Sequence, residues 1–489
     1  MAVVEVDPSR SIDEVASRSL LRLLGLPTGE RVPVELPAPR ATPAALLVRE
    51  VVRLAAPAIA HMLLVTLVFL VDRVVLGRYS ATSLASLQIS SILVWTFYAV
   101  FTAFSAGTLA LIGRAIGEGE RERAATVAAQ SLLFSLVLGV VVATITLLGS
   151  ERALPHLFPG ASAALRADAT TYLGVVLLVL PLAFAEASAA ATLQAAGDTR
   201  TPMLVALSSN LVNVALSVVL VFGLLGMPEL GILGAAIGTA AATALQALLL
   251  VGALLRRSSP VPLRAALRPS VWLVARPFQR LMRVSVPAFA DKIAYNGGYL
   301  AFVAIIGMLG DAAMAANQAL VSIEAICFLS ADGFGIAAGA LVAQKLGKKS
   351  PDDAAFAARI AARLSIALLS VFGLLFLLVP RPMLLAFGDD ASMLALGLAT
   401  MPVMALAQPF MAYASVMRMA LRGAGATGTV LATTLVGIFL VRLPVAYLAV
   451  TELGWGLAGV WLGSTAHWVV EAGLLWVVFR RGQWRRLEI

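Results

Sequence analysis

A handful of ionisable residues fall inside stretches otherwise too apolar to dissolve them. Asp72 ends the run LVTLVFLVD (Leu64–Asp72) and Glu186 lies five residues after Pro181. A charged group at membrane depth is costly, so each one is a functional candidate. A buried carboxylate suits one kind of chemistry, the uptake and release of a proton or a small cation. Asp72 has a plainer reading, in which Arg73 or an interfacial position solvates it, but neighbours on a helix point about 100° apart and make poor partners. Glu186 is read as either sharing a proton or hydrogen bond with Asp72 or meeting a structural partner. Asn210, Asn213 and Ser217 recur at helical spacing and offer polar groups to the same bundle; asparagine in such a helix commonly bonds a neighbouring helix instead.

A second set lies far along the chain. Asp291 and Lys292 are followed by Tyr295, Asn296 and Tyr299, and Glu324 and Asp332 sit two turns apart on one face. The last two are read as lining a cavity or pairing internally. Arg442 and the i,i+4 pair His467–Glu471 are expected in structural ion pairs. Met404 and Met411, in a methionine-rich segment, are either adaptable cavity lining or core. No phosphate-binding loop is present, and three histidines and one cysteine, Cys327, are too scattered for a metal site. An enzyme, an ATP-driven pump, a metalloprotein and a cofactor-binding protein are all outside this reading, and one cysteine permits no intrachain disulfide.

The elements that must hold these residues are transmembrane helices. Of the 489 residues 60% are hydrophobic and 13% charged, with mean hydropathy +0.93, against about 45–50% and about 25% in soluble domains. Apolar runs long enough to cross a bilayer predict twelve spans: 50–76, 88–113, 124–148, 168–193, 201–225, 230–253, 281–307, 318–343, 357–380, 393–418, 427–450 and 456–479. The fold class is an all-α polytopic membrane protein. The N-terminus, with Glu5, Asp7, Asp13 and Glu14 and no early apolar run, does not read as a cleavable signal.

The chain is written twice. At a shift of 230, Arg53, Pro57, Gly77, Gln88, Phe104 and Gly117 meet Arg283, Pro287, Gly307, Gln318, Phe334 and Gly347; at 228, LQAAGDTRT (Leu193–Thr201) meets LRGAGATGT (Leu421–Thr429). Such repeats in an apolar chain mark transporters that move one half against the other. Six spans per half is even, so the repeats are parallel. The division expected is an arm over 1–45 with a short amphipathic helix at 12–24, a first lobe over 46–253, a basic linker over 254–280, a second lobe over 281–480 and a basic tail over 481–489. Lysine and arginine gather on one side if both termini are cytoplasmic, which satisfies the positive-inside rule. Topology and anionic lipid therefore explain the net charge of +9, and no basic soluble domain supports nucleic-acid binding.

In this order the motifs VDRVVLG (Val71–Gly77), LQAAGDTRTP (Leu193–Pro202), GFGIAAGALVAQKLG (Gly333–Gly347), LRGAGATGT, VRLPVAYL (Val441–Leu448) and FRRGQWR (Phe479–Arg485) resemble the multidrug and toxic compound extrusion (MATE) family over about residues 45–489. The resemblance implies two six-helix lobes in a V and efflux of cationic or amphipathic compounds driven by inward H+ or Na+. It carries the first-span aspartate over to Asp72 and the fifth-span asparagine over to Asn213. Ser217 stands where one branch of the family has an aspartate, and the second-lobe acids of the sodium-coupled branch fall near Tyr295 and Met411, where this chain has none.

The expectation is therefore a proton-coupled antiporter, H+ favoured over Na+, with ion coupling at Asp72, Asn213, Glu186 and Ser217. A substrate cavity is expected around Tyr295, Asn296, Tyr299, Glu324, Asp332, Met404 and Met411. It would act as a monomer in a bacterial inner membrane, on small amphipathic or cationic molecules. Two rivals remain: a lipid-linked saccharide flippase with Arg73, Lys292 and Arg442 on an anionic head group, and a non-transporting receptor or assembly protein.

Overall fold

The computed structural model describes residues 43–157, 162–266 and 275–489; the helix expected over 12–24 lies outside them. The regular elements are helical. In chain order they are α1 (Ala44–Tyr79), α2 (Ala81–Thr102), α3 (Ser105–Glu118), α4 (Arg121–Leu157), α5 (Ala163–Leu178), α6 (Leu180–Ala195), α7 (Arg200–Phe222), α8 (Ile232–Leu255), α9 (Ala275–Gly307), α10 (Asp311–Gly347), α11 (Pro351–Leu378), α12 (Pro380–Leu385), α13 (Ala391–Gly423), α14 (Thr427–Leu435), a π-helical stretch Val436–Arg442, α15 (Leu443–Thr451) and α16 (Gly456–Arg481).

Among the described residues nine segments are long and apolar enough to cross a membrane unaided, ten when α5 and α6 count as one. The twelve expected spans appear once two further facts are added. Helices α2 and α3 are one span interrupted by a turn at Ala103–Phe104. Helix α9 is long enough but begins at Ala275, six residues before the expected start, and takes in Arg276, Arg280 and Arg283. The breaks have local causes. The α5–α6 pair bends by 50° just before Pro181, whose ring removes a backbone donor, and Gly139 of α4 has no Cβ to strike that proline. The π-helical stretch ends just before Pro444, the place where a shifted hydrogen-bond register accommodates a missing N–H.

The packing follows side-chain size. Helix α1 lies against α7 and α10, α3 lies against α10, and α10 also packs on α11 and α13. Helix α10 is the hub because seven of the eleven residues of GFGIAAGALVA (Gly333–Ala343) are Gly or Ala, and in lipid close van der Waals approach is what joins helices. Gly333 sits on the backbone of Ile59, Gly339 on Met419, and Gly423 on Gly339. One continuous apolar cluster runs through the second half and takes in Val51, Leu54 and Ala55 of α1. The first half holds three separate clusters, with polar groups between them. Outward-facing leucines such as Leu148, Leu178, Leu211 and Leu300 stay bare, as they do when lipid is the solvent.

Candidate functional site

Asp72 is 2% exposed near the end of α1, and it is not alone. The Tyr172 hydroxyl of α5 donates to its Oδ2 at 2.7 Å, and the Thr239 hydroxyl of α8 donates to the same oxygen at 2.7 Å. Asn213 Nδ2 of α7 donates to Thr239 Oγ1 at 3.1 Å and lies 3.5 Å from Ser217 Oγ. Four helices therefore converge on one carboxyl, and Oδ1 is left with no protein partner. Glycine makes the convergence possible: Gly238 of α8 lies against Ser217 and Gly234 against the Leu220 backbone, so α7 and α8 approach closely enough for Asn213 to meet Thr239. Arg73 points away and is exposed, so the plainer reading of Asp72 as an Arg73 neighbour does not describe this site. Tyr172 and Thr239 carried no distinguishing mark in the sequence; a tyrosine inside an apolar span was the only available signal.

Glu186 of α6 is buried in a network of its own. Gln246 Nε2 of α8 donates to its Oε1 at 2.8 Å, and the Tyr98 hydroxyl of α2 lies 3.4 Å from Oε2. It has no hydrogen-bond partner in common with Asp72. Of the two readings of Glu186, the bond shared with Asp72 is not formed and partners of its own are, because Gln246 and Thr239 lie about two turns apart on α8. Asn210 Nδ2 donates to the Leu64 carbonyl of α1 at 2.8 Å, the helix-to-helix bond expected of it. The aspartate of the GDTRT motif proves structural: Asp198 accepts from the Thr201 N–H at 2.9 Å and from its hydroxyl at 2.6 Å, fixing the start of α7.

The second half is organised by ion pairs. Arg422 of α13 pairs with Asp291 of α9. Arg418 of α13 and His467 of α16 both reach the fully buried Glu471, at 3.5 and 3.2 Å. The Arg418 guanidinium also lies over Tyr295 and Trp468. Arg442 departs from the expectation of an ion pair. Its guanidinium stacks 4.0 Å from the Phe302 ring centroid and near Tyr299, in no salt bridge among the described residues, because the π-helical turn carries it toward α9. Lys292 stands over Tyr295. Glu324 accepts from Gln408 of α13 at 3.3 Å. Tyr295, Asn296, Tyr299, Glu324 and Asp332 are all half-buried and lie on α9 and α10. Met404 and Met411 do not join them: both are packed in the core, at 0% and 1% exposure, on the buried side of α13. The described residues hold no cluster of three potential metal ligands.

Comparison with known proteins places this geometry. The MatE family model matches residues 57–219 and 287–448, the two repeats at the 230-residue shift. A probable multidrug resistance protein NorM from Thermotoga maritima is 29% identical over 90% of this chain and 94% of its own length. One from Bradyrhizobium diazoefficiens is 27% identical over 88% and 92%. Among solved structures, the outward-facing form of a multidrug resistance MATE family transporter of the MOP superfamily superposes with a TM-score of 0.83 at 19% identity, over 92% of this chain and all of that one. The bent form of the Vibrio cholerae MATE transporter VcmN gives 0.81 at 17%, over 90% and 97%. With both repeats matched and the buried Asp72 site held between four helices of the first, this multi-pass membrane protein belongs to the MatE family, as a MATE transporter and not an enzyme.

Proposed function

We propose that this protein expels cationic or amphipathic compounds in exchange for protons, and that Asp72 is the group that takes the proton. The observation that carries the reading is the donor set around Asp72. Tyr172 and Thr239 both point hydroxyl hydrogens at Oδ2, so they satisfy a carboxylate rather than turn lone pairs toward a metal cation. Sodium coupling would call for several acceptor oxygens around one point; a proton needs only the open Oδ1. The relatives' names, multidrug resistance proteins, support the substrate class.

In the proposed orientation both termini are cytoplasmic. Arg114, Arg123, Lys345 and Arg485 then lie on the inner side, where the two halves touch through α3 and α10. Contact there and a polar interior toward the other face suit an outward-open state. A proton binds Asp72, cancels the cost of a bare buried carboxylate, and favours a repacked α1 around its internal Pro57. Drug leaves, the halves rock, and the proton departs inside. Coupling requires that the two states bind the proton with different affinity. Asn213, Ser217 and Glu186 are assigned supporting roles in this exchange, and Tyr295, Asn296, Tyr299, Glu324 and Asp332 the second-half wall of the substrate path.

Reconstituted in proteoliposomes with an imposed pH gradient, the wild type is expected to move ethidium against its gradient. Asp72→Asn is expected to fold and to lose that transport at least tenfold. Normal proton-driven export by Asp72→Asn sinks the reading; export that follows a sodium gradient and ignores pH replaces the ion. A second reading, a lipid-linked saccharide flippase, is favoured by Arg442 and Lys292, which lie in no ion pair among the described residues. Loss of a surface glycan on gene deletion, with no dye efflux on expression, would select it.

A further inference from the structure

In the proposed exchange the proton taken by Asp72 is released on the inner side, and α1 holds two further titratable side chains toward that side. Glu50, His61 and Asp72 are spaced by eleven residues. Eleven residues are just over three turns, so the three project from nearly one face of α1, each about 16 Å along the axis from the next. Glu50 lies at the basic end and pairs with Lys345 of α10 at 3.1 Å. His61 lies midway at 5% exposure. Gln194 of α6 brings its side-chain amide to 3.4 Å from His61 Nδ1, and Nε2 has no protein partner and stays free to accept a proton when Nδ1 carries the ring hydrogen.

The interval between Asp72 and His61 is polar on the side of α7. Asn213 Oδ1 and Ser209 Oγ are buried with hydrogen-bonding capacity that no protein group fills, as are Asp72 Oδ1 above them and His61 Nε2 below; Asn210 meets the α1 backbone at Leu64 between the two levels. Buried polar atoms left open are rare and individually costly, and here four belong to α1 and α7, two helices that pack against each other, with Ser209 and Asn213 one turn apart on α7. Charged groups on the helices around α1 are engaged elsewhere or remote. Lys345 of α10 holds Glu50, Glu324 of α10 holds Gln408, and Asp332 of α10 lies in the electrostatic field of the cations Lys292, Arg418 and Arg422. Helix α11 carries Asp352, Asp353, Arg359 and Arg363 at its basic end, α7 carries Arg200 at its start, and α2 and α8 carry no charge. On α6 the group that faces His61 is Gln194.

We propose that His61 is the inner stage of the proton path, receiving the proton that leaves Asp72 by way of water bridging Asn213 and Ser209 and passing it toward Glu50 and the basic end. An imidazole can do this where an amide cannot: it accepts on one nitrogen and releases from the other. The step moves one proton and no other atom. In the conformation described, α1 is packed on α10 between His61 and Glu50, through Ile59 against Gly333. Parting of that contact is what would open the last stretch, so that the proton leaves only when the inner side does.

This rests on proton coupling at Asp72, and one experiment separates the two. In proteoliposomes, ethidium self-exchange at equal pH needs the loaded protein to rock but moves no net proton, whereas export driven by a pH gradient needs the whole path. His61→Gln and His61→Asn are expected to keep exchange within twofold of wild type and to lose gradient-driven export at least tenfold; whichever folds suffices. The proposal is overturned if a folded variant keeps gradient-driven export within twofold. It is equally overturned if exchange and driven export fall together, the mark of a structural role. If Asp72→Asn retains driven export in the same assay, the coupling reading itself fails, whatever the His61 variants do.

Discussion

The Asp72 carboxyl takes two hydroxyl donors on one oxygen, and hydrogen bonds to an ionised group contribute about 1.5–3 kcal/mol each. Tyr172→Phe and Thr239→Val should each fold and bind ethidium nearly as the wild type does, while slowing proton-driven export by roughly tenfold to a hundredfold, a range that follows from that energy. Equal losses in binding and export would place these residues on the substrate instead. The Arg418–Glu471–His467 group makes the opposite kind of prediction. Glu471→Gln leaves a guanidinium buried without its counter-charge, which costs about 3–5 kcal/mol. It should therefore lower the thermal midpoint in detergent well below that of Asp72→Asn. Arg418→Gln combined with Glu471→Gln should recover much of the loss, because no bare charge remains. Asp72 was legible in the sequence because a lone acid in an apolar run is conspicuous. Tyr172 and Thr239 were not, since each is ordinary in its own helix and acquires a role only by facing α1.

Helix spacing decides whether those residues can meet. Gly238 lies against Ser217, so a Cβ branch there must push α8 away from α7. Gly238→Val is expected to break the Asn213–Thr239 bond and to reduce proton-driven export at least tenfold, with the protein still inserted and monodisperse by size exclusion; unchanged export would show that the Asn213 contact is dispensable. A helix end outside the membrane gives a pH test. Asp390 caps α13, accepting from the Ser392 hydroxyl and the Met393 N–H, and these bonds hold its carboxyl below the usual range. Since the folded value is depressed, the cap is complete at neutral pH and is lost as pH falls through that lower value. Amide exchange at the start of α13 should accelerate only below about pH 4, and Asp390→Asn should abolish that pH dependence. The spans expected over 168–193 and 427–450 are interrupted before Pro181 and Pro444, each of which removes a backbone donor, whereas no proline or glycine marks the interruption between α2 and α3.

At the scale of the molecule the repeat becomes contact. Gly117 of α3 and Gly347 of α10 are mates at the 230-residue shift, and they lie directly against each other. A Cβ at Gly117 would strike the Gln344 carbonyl, and one at Gly347 would strike the Arg114 carbonyl, which are again mates. Gly113 likewise lies against its mate Ala343. The symmetry axis thus passes through the seam that closes the basic end. Gly117→Leu or Gly347→Leu should hold that end apart. Distances between spin labels on α3 and α10, placed at their basic ends, should lengthen relative to wild type and no longer respond to pH. The sole native cysteine, Cys327, is buried, which leaves such labels free of background. Unchanged distances would mean that the seam is not what closes this side.

The amino-acid sequence by itself determined the class, the repeat and the span positions, because lipid admits only helices with their backbone bonds satisfied internally and because a duplicated pattern survives as spacing. It also singled out Asp72. The tertiary structure alone decided what each polar residue faces. It gave Asp72 and Glu186 separate partners, sent Arg442 onto an aromatic ring, packed Met404 and Met411 into the core, and placed His61 below Asp72 beside Gln194. The reason is physical: hydropathy registers that a helix is apolar, whereas a partner depends on rotation and on how closely small residues let two helices approach.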